Sequence, residues 1–122
     1  MNIPSFDPEK NYQIYILDML EAIEKIQEYT DGLTEVEFSQ NLLVQDAVVR
    51  RFQIIGEAVS RVPGELREKF IIIPWKKIIA FRNLIIHDYA MVKYTEIWRV
   101  IQDELPKLQK QLVVVKQTLE KQ

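Results

Sequence analysis

The chemistry-bearing residues of this 122-residue chain are concentrated in one short stretch, Arg82 to Tyr89. Five polar or ionisable side chains there frame three aliphatic ones near the end of a predicted helix. Histidine transfers protons near neutral pH, and the last turn of a helix favours a cationic imidazole through the helix dipole. We therefore take Arg82, Asn83 and His87 as candidates for a site that combines proton transfer with a fixed cation.

The spacing of these residues allows two interpretations. On a helix, Asn83 and His87 share a face, whereas Arg82 lies about 140° around from His87. The arginine side chain is long enough to reach a common pocket at the helix end. In the alternative, structural interpretation, Arg82 pairs with an acidic partner and His87 caps the helix through a backbone carbonyl. Glu57 is one candidate partner, although a solvated or helix-pairing carboxylate is the more usual role.

Residues that the chain lacks exclude other chemistries. Without cysteine it has no disulfide, iron–sulfur cluster or thiolate zinc site. Its three glycines are isolated, so it has no glycine-rich phosphate loop. A di-iron centre in a helical bundle uses Glu-x-x-His pairs, but Leu84 stands three residues before the single histidine. We expect neither a metal centre nor a cofactor.

Length and hydropathy indicate one small soluble domain. A chain of this length supports one core but hardly two, so we expect a single domain over residues 1–122. The stretch Met1–Pro8 lacks the basic and apolar regions of a signal peptide. The longest apolar run, Phe70–Trp75, is too short to span a membrane. We therefore expect a cytoplasmic protein.

Apolar spacing predicts four long helices. They run from just after Asp7-Pro8 to Gly32, from about Asn41 to Ser60, from Pro74 to about Tyr89, and from about Tyr94 to the C-terminus. Thr34 and Glu37 between the first two form a predicted capping box. Gly56 inside the second indicates close packing there, because a mid-helix glycine otherwise only costs stability. A short helical turn is expected over Pro63–Phe70.

The last helix carries a heptad seam. Its apolar residues step by three and four: Trp98, Ile101, Leu105, Leu108, Leu112, Val115 and Leu119. Such a seam is typical of bundle or coiled-coil packing, and Pro106 within it predicts a kink or a restart. No strand alternation appears. The predicted fold is all-α, an antiparallel bundle of four to five helices with a long C-terminal helix.

Arg82 and His87, separated by four residues, form an R-x4-H motif with the polar Asn83 directly after the arginine. In this the sequence resembles the HEPN-domain ribonucleases. Extended to Tyr89, the motif is similar to the R-x4-H-x-Y of HepT toxins from HepT–MntA toxin–antitoxin systems. Further stretches agree with that family: Tyr29-Thr30-Asp31-Gly32-Leu33, Gln45-Asp46-Ala47-Val48-Val49-Arg50, Ile54-Ile55-Gly56-Glu57-Ala58 and Ile73-Pro74-Trp75-Lys76. One departure is Ile79-Ala80, where relatives often have a smaller pair.

The resemblance implies an HEPN-like bundle that acts as a toxin and cleaves RNA without a metal ion. The RNA 2′-hydroxyl is the nucleophile in such a cleavage, which leaves a 2′,3′-cyclic phosphate and a 5′-hydroxyl. His87 would move protons, and Arg82 would hold phosphate oxygens and stabilise the developing charge. Asn83 would orient His87 or bind phosphate.

The resemblance also implies a modified tyrosine. In the HepT family, the tyrosine at this motif position is adenylylated by a partner nucleotidyltransferase antitoxin of the MntA type, which uses ATP and Mg²⁺. The matching residue here is Tyr89, the expected O-AMP-tyrosine. An AMP group close to Arg82 would satisfy the arginine and exclude an RNA phosphate. The alternative is an ordinary core tyrosine.

A homodimer follows from the single histidine. A cyclising cleavage benefits from both a general base and a general acid, and a two-fold axis supplies the second His87. The run Leu84–Ile86 would help to bury the interface or would face the monomer core.

Two other functions stay open, and neither needs Arg82 and His87. One is a non-catalytic HEPN-like module that docks on a nucleotidyltransferase, and the other is a structural adaptor. The pairs Lys76-Lys77 and Arg50-Arg51 either line an RNA path or are ordinary solvated charge. Trp75 and Trp98 are expected in the core rather than stacked on RNA bases.

Overall fold

The computed structural model describes residues 12–88 and 93–121, which form helices and turns without a strand. The helices are α1 (Tyr12–Thr30), α2 (Glu35–Ser39), α3 (Leu42–Arg61), α4 (Gly64–Lys69), α5 (Trp75–Asp88), α6 (Tyr94–Arg99) and α7 (Leu105–Glu120), with a π-helical turn over Val100–Glu104 between the last two. The all-α fold class is confirmed. The predicted start of α1 lies outside the described residues.

The long helices form an antiparallel bundle in which α3 packs against both α1 and α5, and α1 also packs against α7. Two side-chain contacts fix the register of α1 on α7. Gln13 Nε2 donates to the carbonyl of Leu119 at 3.2 Å, and the amides of Gln27 and Gln109 exchange hydrogen bonds at 3.0 and 3.3 Å. The start of α1 therefore meets the end of α7.

The turn between α1 and α3 follows the sequence-based prediction closely. Gly32 has a φ of +75°, the left-handed conformation that lets glycine end a helix. Glu37 N–H donates to Thr34 Oγ1 at 3.1 Å, and Thr34 N–H donates to Glu37 Oε1 at 3.0 Å. The predicted capping box is therefore present and starts α2.

Pro106 restarts the C-terminal helix, as predicted, but through a wider turn. Proline lacks the N–H that would bond the carbonyl four residues earlier. The chain responds with a π turn, in which Leu105 N–H bonds to the carbonyl of Val100, five residues back. The extra residue shifts the buried face, so that Ile97 is fully buried while Trp98 is half-buried against Phe38. The seam thus begins at Ile97 and not at Trp98, and the rest of it is buried as predicted.

The core lies along the facing sides of α1, α3, α5 and α7. Its largest fully buried side chains include Phe38, Met19, Ile55 and Leu112. Tyr15 and Phe52 are buried in this core, whereas Tyr12 is half-buried. None of the helices in the described part of the chain is long and apolar enough to cross a membrane.

Candidate active site

The start of α5 is anchored by hydrogen bonds to the preceding segment. The Trp75 indole N–H lies 3.1 Å from the carbonyl of Phe70 and 3.2 Å from that of Arg67. The Arg67 guanidinium in turn donates to the carbonyls of Val59 and Val62 at the end of α3. These bonds satisfy carbonyl groups near the helix ends and connect α4 to the end of α3 and to the start of α5. Trp75 is buried, as predicted.

Arg82 lies at the crossing of α3 and α5, where it packs against Gly56. A Cβ built on Gly56 would overlap the Cβ and Cγ atoms of Arg82 and would lie 3.2 Å from its Cδ. The rings of Phe52 and Phe81 meet edge to face beside this contact, with centroids 5.0 Å apart. The predicted close packing at Gly56 is confirmed, and its partner is the stem of the candidate catalytic arginine.

Arg82 has no acidic partner among the described side chains. It is half-buried, and its Nε is buried without a hydrogen-bond partner. Glu57, one of the candidate partners, instead pairs with Arg50 on its own helix at 3.6 Å. The more usual role expected for Glu57, an exposed carboxylate that pairs on its own helix, is confirmed. The alternative Glu57–Arg82 pair is not formed, because Glu57 faces solvent on α3 while Arg82 enters beside Gly56.

Asn83 and His87 are both exposed on the outer face of α5. Within the described residues, neither makes a side-chain hydrogen bond, so the structure shows no His87 cap of the kind the structural interpretation requires. The aliphatic run between them is divided. Ile85 is 1% exposed and belongs to the core, whereas Leu84 and Ile86 are each 43% exposed.

The arrangement therefore offers a half-buried guanidinium and an exposed imidazole on one rigid helix. A partly buried cation without a counter-charge is a favourable place for an anion, and the guanidinium fork fits two phosphate oxygens. The exposed imidazole is free to exchange protons with a ligand. Tyr89 lies outside the described residues. In the part of the chain that is described, no three His, Asp or Glu side chains are grouped to hold a metal ion.

Sequence reasoning identified the motif residues but not what positions them. The only signal was the mid-helix Gly56, which indicated a close neighbour without naming it. Ile79, the noted departure from the family pattern, is half-buried against the core, and its neighbour Ala80 is exposed. The additional bulk at Ile79 is thus accommodated in the core, away from the face that carries His87.

The chain is similar to several known proteins over most of its length. The family described as "Ribonuclease HepT-like" matches residues 19–115, a range that includes Arg82 and His87. The chain is 40% identical over 112 residues to a "Gamma-glutamylcyclotransferase and putative RNase" of Methanocaldococcus jannaschii, covering 92% of this chain and 50% of that protein. It is 32% identical over 107 residues to a "Putative RNase" of the same organism, covering 88% and 98% of the two chains.

A further "Putative RNase", from Caldanaerobacter subterraneus subsp. tengcongensis, is 39% identical over 108 residues, covering 88% of this chain and 94% of that protein. The chain thus spans half the length of the first relative and nearly the whole length of the other two. No solved structure matches it significantly. Since the family match covers most of the chain and includes the R-x4-H motif, the chain belongs to the ribonuclease HepT-like family.

Proposed function

We propose that this chain is a metal-independent RNA endonuclease and the toxin of a toxin–antitoxin pair, with Arg82 and His87 as its catalytic residues. The observation that carries the proposal is the state of Arg82. Its stem packs tightly on Gly56, yet no described acidic side chain neutralises it. A cation that is held in place and has no partner among the described side chains suits an anionic substrate, and the ribonuclease names of the relatives support RNA.

The proposed reaction needs two proton transfers and one charged intermediate. The 2′-oxygen attacks the adjacent phosphorus as a base removes its proton, and the bond from phosphorus to the 5′-oxygen breaks as an acid protonates that oxygen. The guanidinium of Arg82 faces the phosphoryl oxygens, where negative charge accumulates. The products are a 2′,3′-cyclic phosphate and a 5′-hydroxyl.

A homodimer completes the site. One chain has a single histidine and therefore one group suited to either proton transfer. A two-fold axis beside α5 brings His87 of a second copy to the same phosphate, so that one imidazole acts as the base and the other as the acid. Leu84 and Ile86, exposed on either side of the buried Ile85, supply apolar surface for such an interface.

We expect the purified protein to cleave single-stranded RNA in the presence of EDTA. The measurement is the chemistry of the new ends. Fragments should carry a 5′-hydroxyl, which polynucleotide kinase labels without prior dephosphorylation, and a cyclic phosphate at the other end. Fragments with a 5′-phosphate, or cleavage that stops on chelation, would contradict the mechanism. Absence of cleavage would favour the non-catalytic module that docks on a nucleotidyltransferase.

The regulatory part of the proposal concerns Tyr89, which stands two residues after His87 in the sequence. Its phenol oxygen attacks the α-phosphorus of ATP bound to an MntA-like nucleotidyltransferase, pyrophosphate leaves, and the phenol proton is lost to solvent or a base. Each AMP adds a negative phosphodiester and a bulky nucleoside near Arg82. The modified site then repels RNA.

We expect incubation with the cognate nucleotidyltransferase, ATP and Mg²⁺ to add AMP to Tyr89 and to abolish RNA cleavage. Intact mass and peptide mapping measure the modification. Tyr89→Phe should stay unmodified and active under the same conditions. Tyr94→Phe is the matched control, since Tyr94 is an exposed tyrosine nearby in sequence, and it should still be modified. AMP on another residue of the wild type, or none with an active partner enzyme, would overturn the assignment.

A further inference from the structure

We propose that Lys76 and Lys77, at the start of α5, bind the phosphate backbone of the RNA at a distance from the cleaved bond. This inference rests on the proposed function and assigns the part of the RNA path that lies outside the R-x4-H motif. The path is a stripe along the outer face of α5, consisting of Lys76, Ala80, Asn83 and His87.

The geometry of a helix puts these residues in line. Lys76 and His87 are eleven residues apart, about three turns, so they project in nearly the same direction. Ala80 and Asn83 fall between them at steps of four and three residues. All four are exposed. The small side chain of Ala80 projects less from the helix than its neighbours do, which leaves space for a ligand in the middle of the stripe. Lys77 lies next to the stripe and is also exposed.

The electrostatics of this surface favour a polyanion. No acidic residue occurs from Lys69 to His87, whereas that stretch contains four lysines and arginines. Among the described residues, Lys76 and Lys77 take part in no ion pair. Arg50, another sequence-based candidate for the RNA path, is paired with Glu57 and so is partly neutralised. Lys76 and Lys77 therefore supply two positive charges at one end of the stripe that no described acidic side chain neutralises.

Hydrogen bonds also fix the backbone that carries the two lysines. The lysines follow Trp75 directly, whose indole is hydrogen-bonded to two carbonyls of the α4 segment. The backbone from which they project is thus held before any ligand binds, and only the flexible side chains need to be ordered. A fixed backbone keeps the distance from the lysines to His87 constant.

That distance defines the length of RNA that the path accepts. Eleven residues of α-helix rise about 16 Å. A stacked strand advances about 3.4 Å along its axis per nucleotide, so the lysines lie at most about five nucleotides from the cleaved bond, and fewer along an extended strand. Contacts to phosphates give affinity without reading bases. The lysines should therefore strengthen binding of longer RNAs and leave the choice of cleavage site unchanged.

The test compares Lys76→Ala/Lys77→Ala with a matched control, Lys107→Ala/Lys110→Ala. The control removes two exposed lysines that are likewise unpaired among the described residues, from α7 on the other side of α1 and α3. The probe is a twelve-nucleotide single-stranded RNA with a central cleavage site. Fluorescence anisotropy measures its Kd over a range of salt concentrations, and initial rates give kcat and KM.

For Lys76→Ala/Lys77→Ala we expect Kd and KM to rise about tenfold to thirtyfold, as for the loss of two charge contacts. The slope of log affinity against log salt should decrease by about 1.4, since each phosphate contact on single strands contributes about 0.7. The positions of cleavage should not change. Lys76→Arg/Lys77→Arg should restore affinity, and the α7 control should resemble the wild type.

The failures of the two proposals are distinguishable. If the wild type cleaves the RNA and the α5 and α7 double variants lose the same affinity, the lysine path is wrong while the nuclease stands. If the wild type binds the RNA without cleaving it, and only the α5 variant loses binding, the path stands and the nuclease is wrong. A change in cleavage positions caused by the α5 variant alone would also overturn a role confined to phosphates.

Discussion

The variant His87→Ala should lose at least a hundredfold in kcat and keep its affinity for RNA. His87 is exposed and makes no described hydrogen bond, so its removal takes away a proton-transfer group without opening the core. General acid–base catalysis contributes about 10²–10⁴-fold, and this chain has no other histidine to compensate. The free energy of unfolding should change by less than about 0.5 kcal/mol, as at other surface sites.

The measurement is kcat and KM on the twelve-nucleotide RNA across a pH range, together with thermal unfolding. The wild type should show the bell-shaped pH dependence of paired acid and base groups, and the variant should lose it. A variant that unfolds several degrees earlier would indicate a structural histidine. An unchanged kcat would contradict the proposed nuclease mechanism, in which His87 transfers protons.

The same variant tests the shared site of the homodimer. If each cleavage uses His87 from both copies, a dimer with one altered chain is inactive. Equal amounts of wild type and His87→Ala, allowed to exchange subunits, should then retain about a quarter of the wild-type activity. Independent sites would retain about half. Unfolding and refolding the mixture together ensures exchange, and a mixture with Lys107→Ala/Lys110→Ala serves as the control.

Local signals in the sequence predicted those parts of the fold that depend on neighbours along the chain. The capping box of Thr34 and Glu37 and the left-handed Gly32 are decided within four residues, so their patterns carried over directly. The heptad seam fixed the buried face of α7 for the same reason. The heptad prediction was wrong at Trp98. Pro106 lacks a backbone N–H, the preceding turn widens, and the spacing of buried residues changes there.

The sequence predicted the residues of the candidate site but not the contacts that position them. The motif gave Arg82, Asn83 and His87, and in the structure Arg82 is half-buried whereas Asn83 and His87 are exposed. The contact of Arg82 with Gly56 depends on how α3 crosses α5, which no spacing within either helix determines. For the same reason the sequence left two roles open for Glu57, and the structure shows the more usual one, a carboxylate paired with Arg50 on its own helix.

At the crossing of α3 and α5, Arg82 contributes a packed side-chain stem as well as a positive charge. Burying the stem against Gly56 restricts the side-chain rotamers, so that less entropy is lost when the guanidinium binds phosphate. The Phe52–Phe81 ring contact joins α3 and α5 next to Arg82 in the sequence of α5. Arg82 therefore has two roles: its stem packs at the helix crossing, and its guanidinium is the proposed phosphate-binding group. Variants of Arg82 should separate these roles.

Arg82→Lys and Arg82→Ala should both lower kcat by about 10²–10³-fold, the usual cost of removing a group that stabilises transition-state charge. Lysine keeps the stem atoms that pack on Gly56 but lacks the fork that binds two phosphate oxygens. Arg82→Lys should therefore unfold at nearly the wild-type temperature. Arg82→Ala also loses the buried stem, so it should be destabilised by about 1 kcal/mol.

The matched pair decides between a catalytic and a structural arginine. Thermal unfolding and kcat are measured for both variants at a temperature where each is folded, and guanidinium ion is added at millimolar concentration. Added guanidinium should restore part of the activity of Arg82→Ala, because it fills the space left at the phosphate, and should do little for Arg82→Lys, whose ammonium group occupies that space. If Arg82→Lys proves fully active, the fork is unnecessary. If both variants keep the wild-type kcat while folded, and Arg82→Ala differs only by unfolding at a lower temperature, Arg82 serves the helix crossing alone.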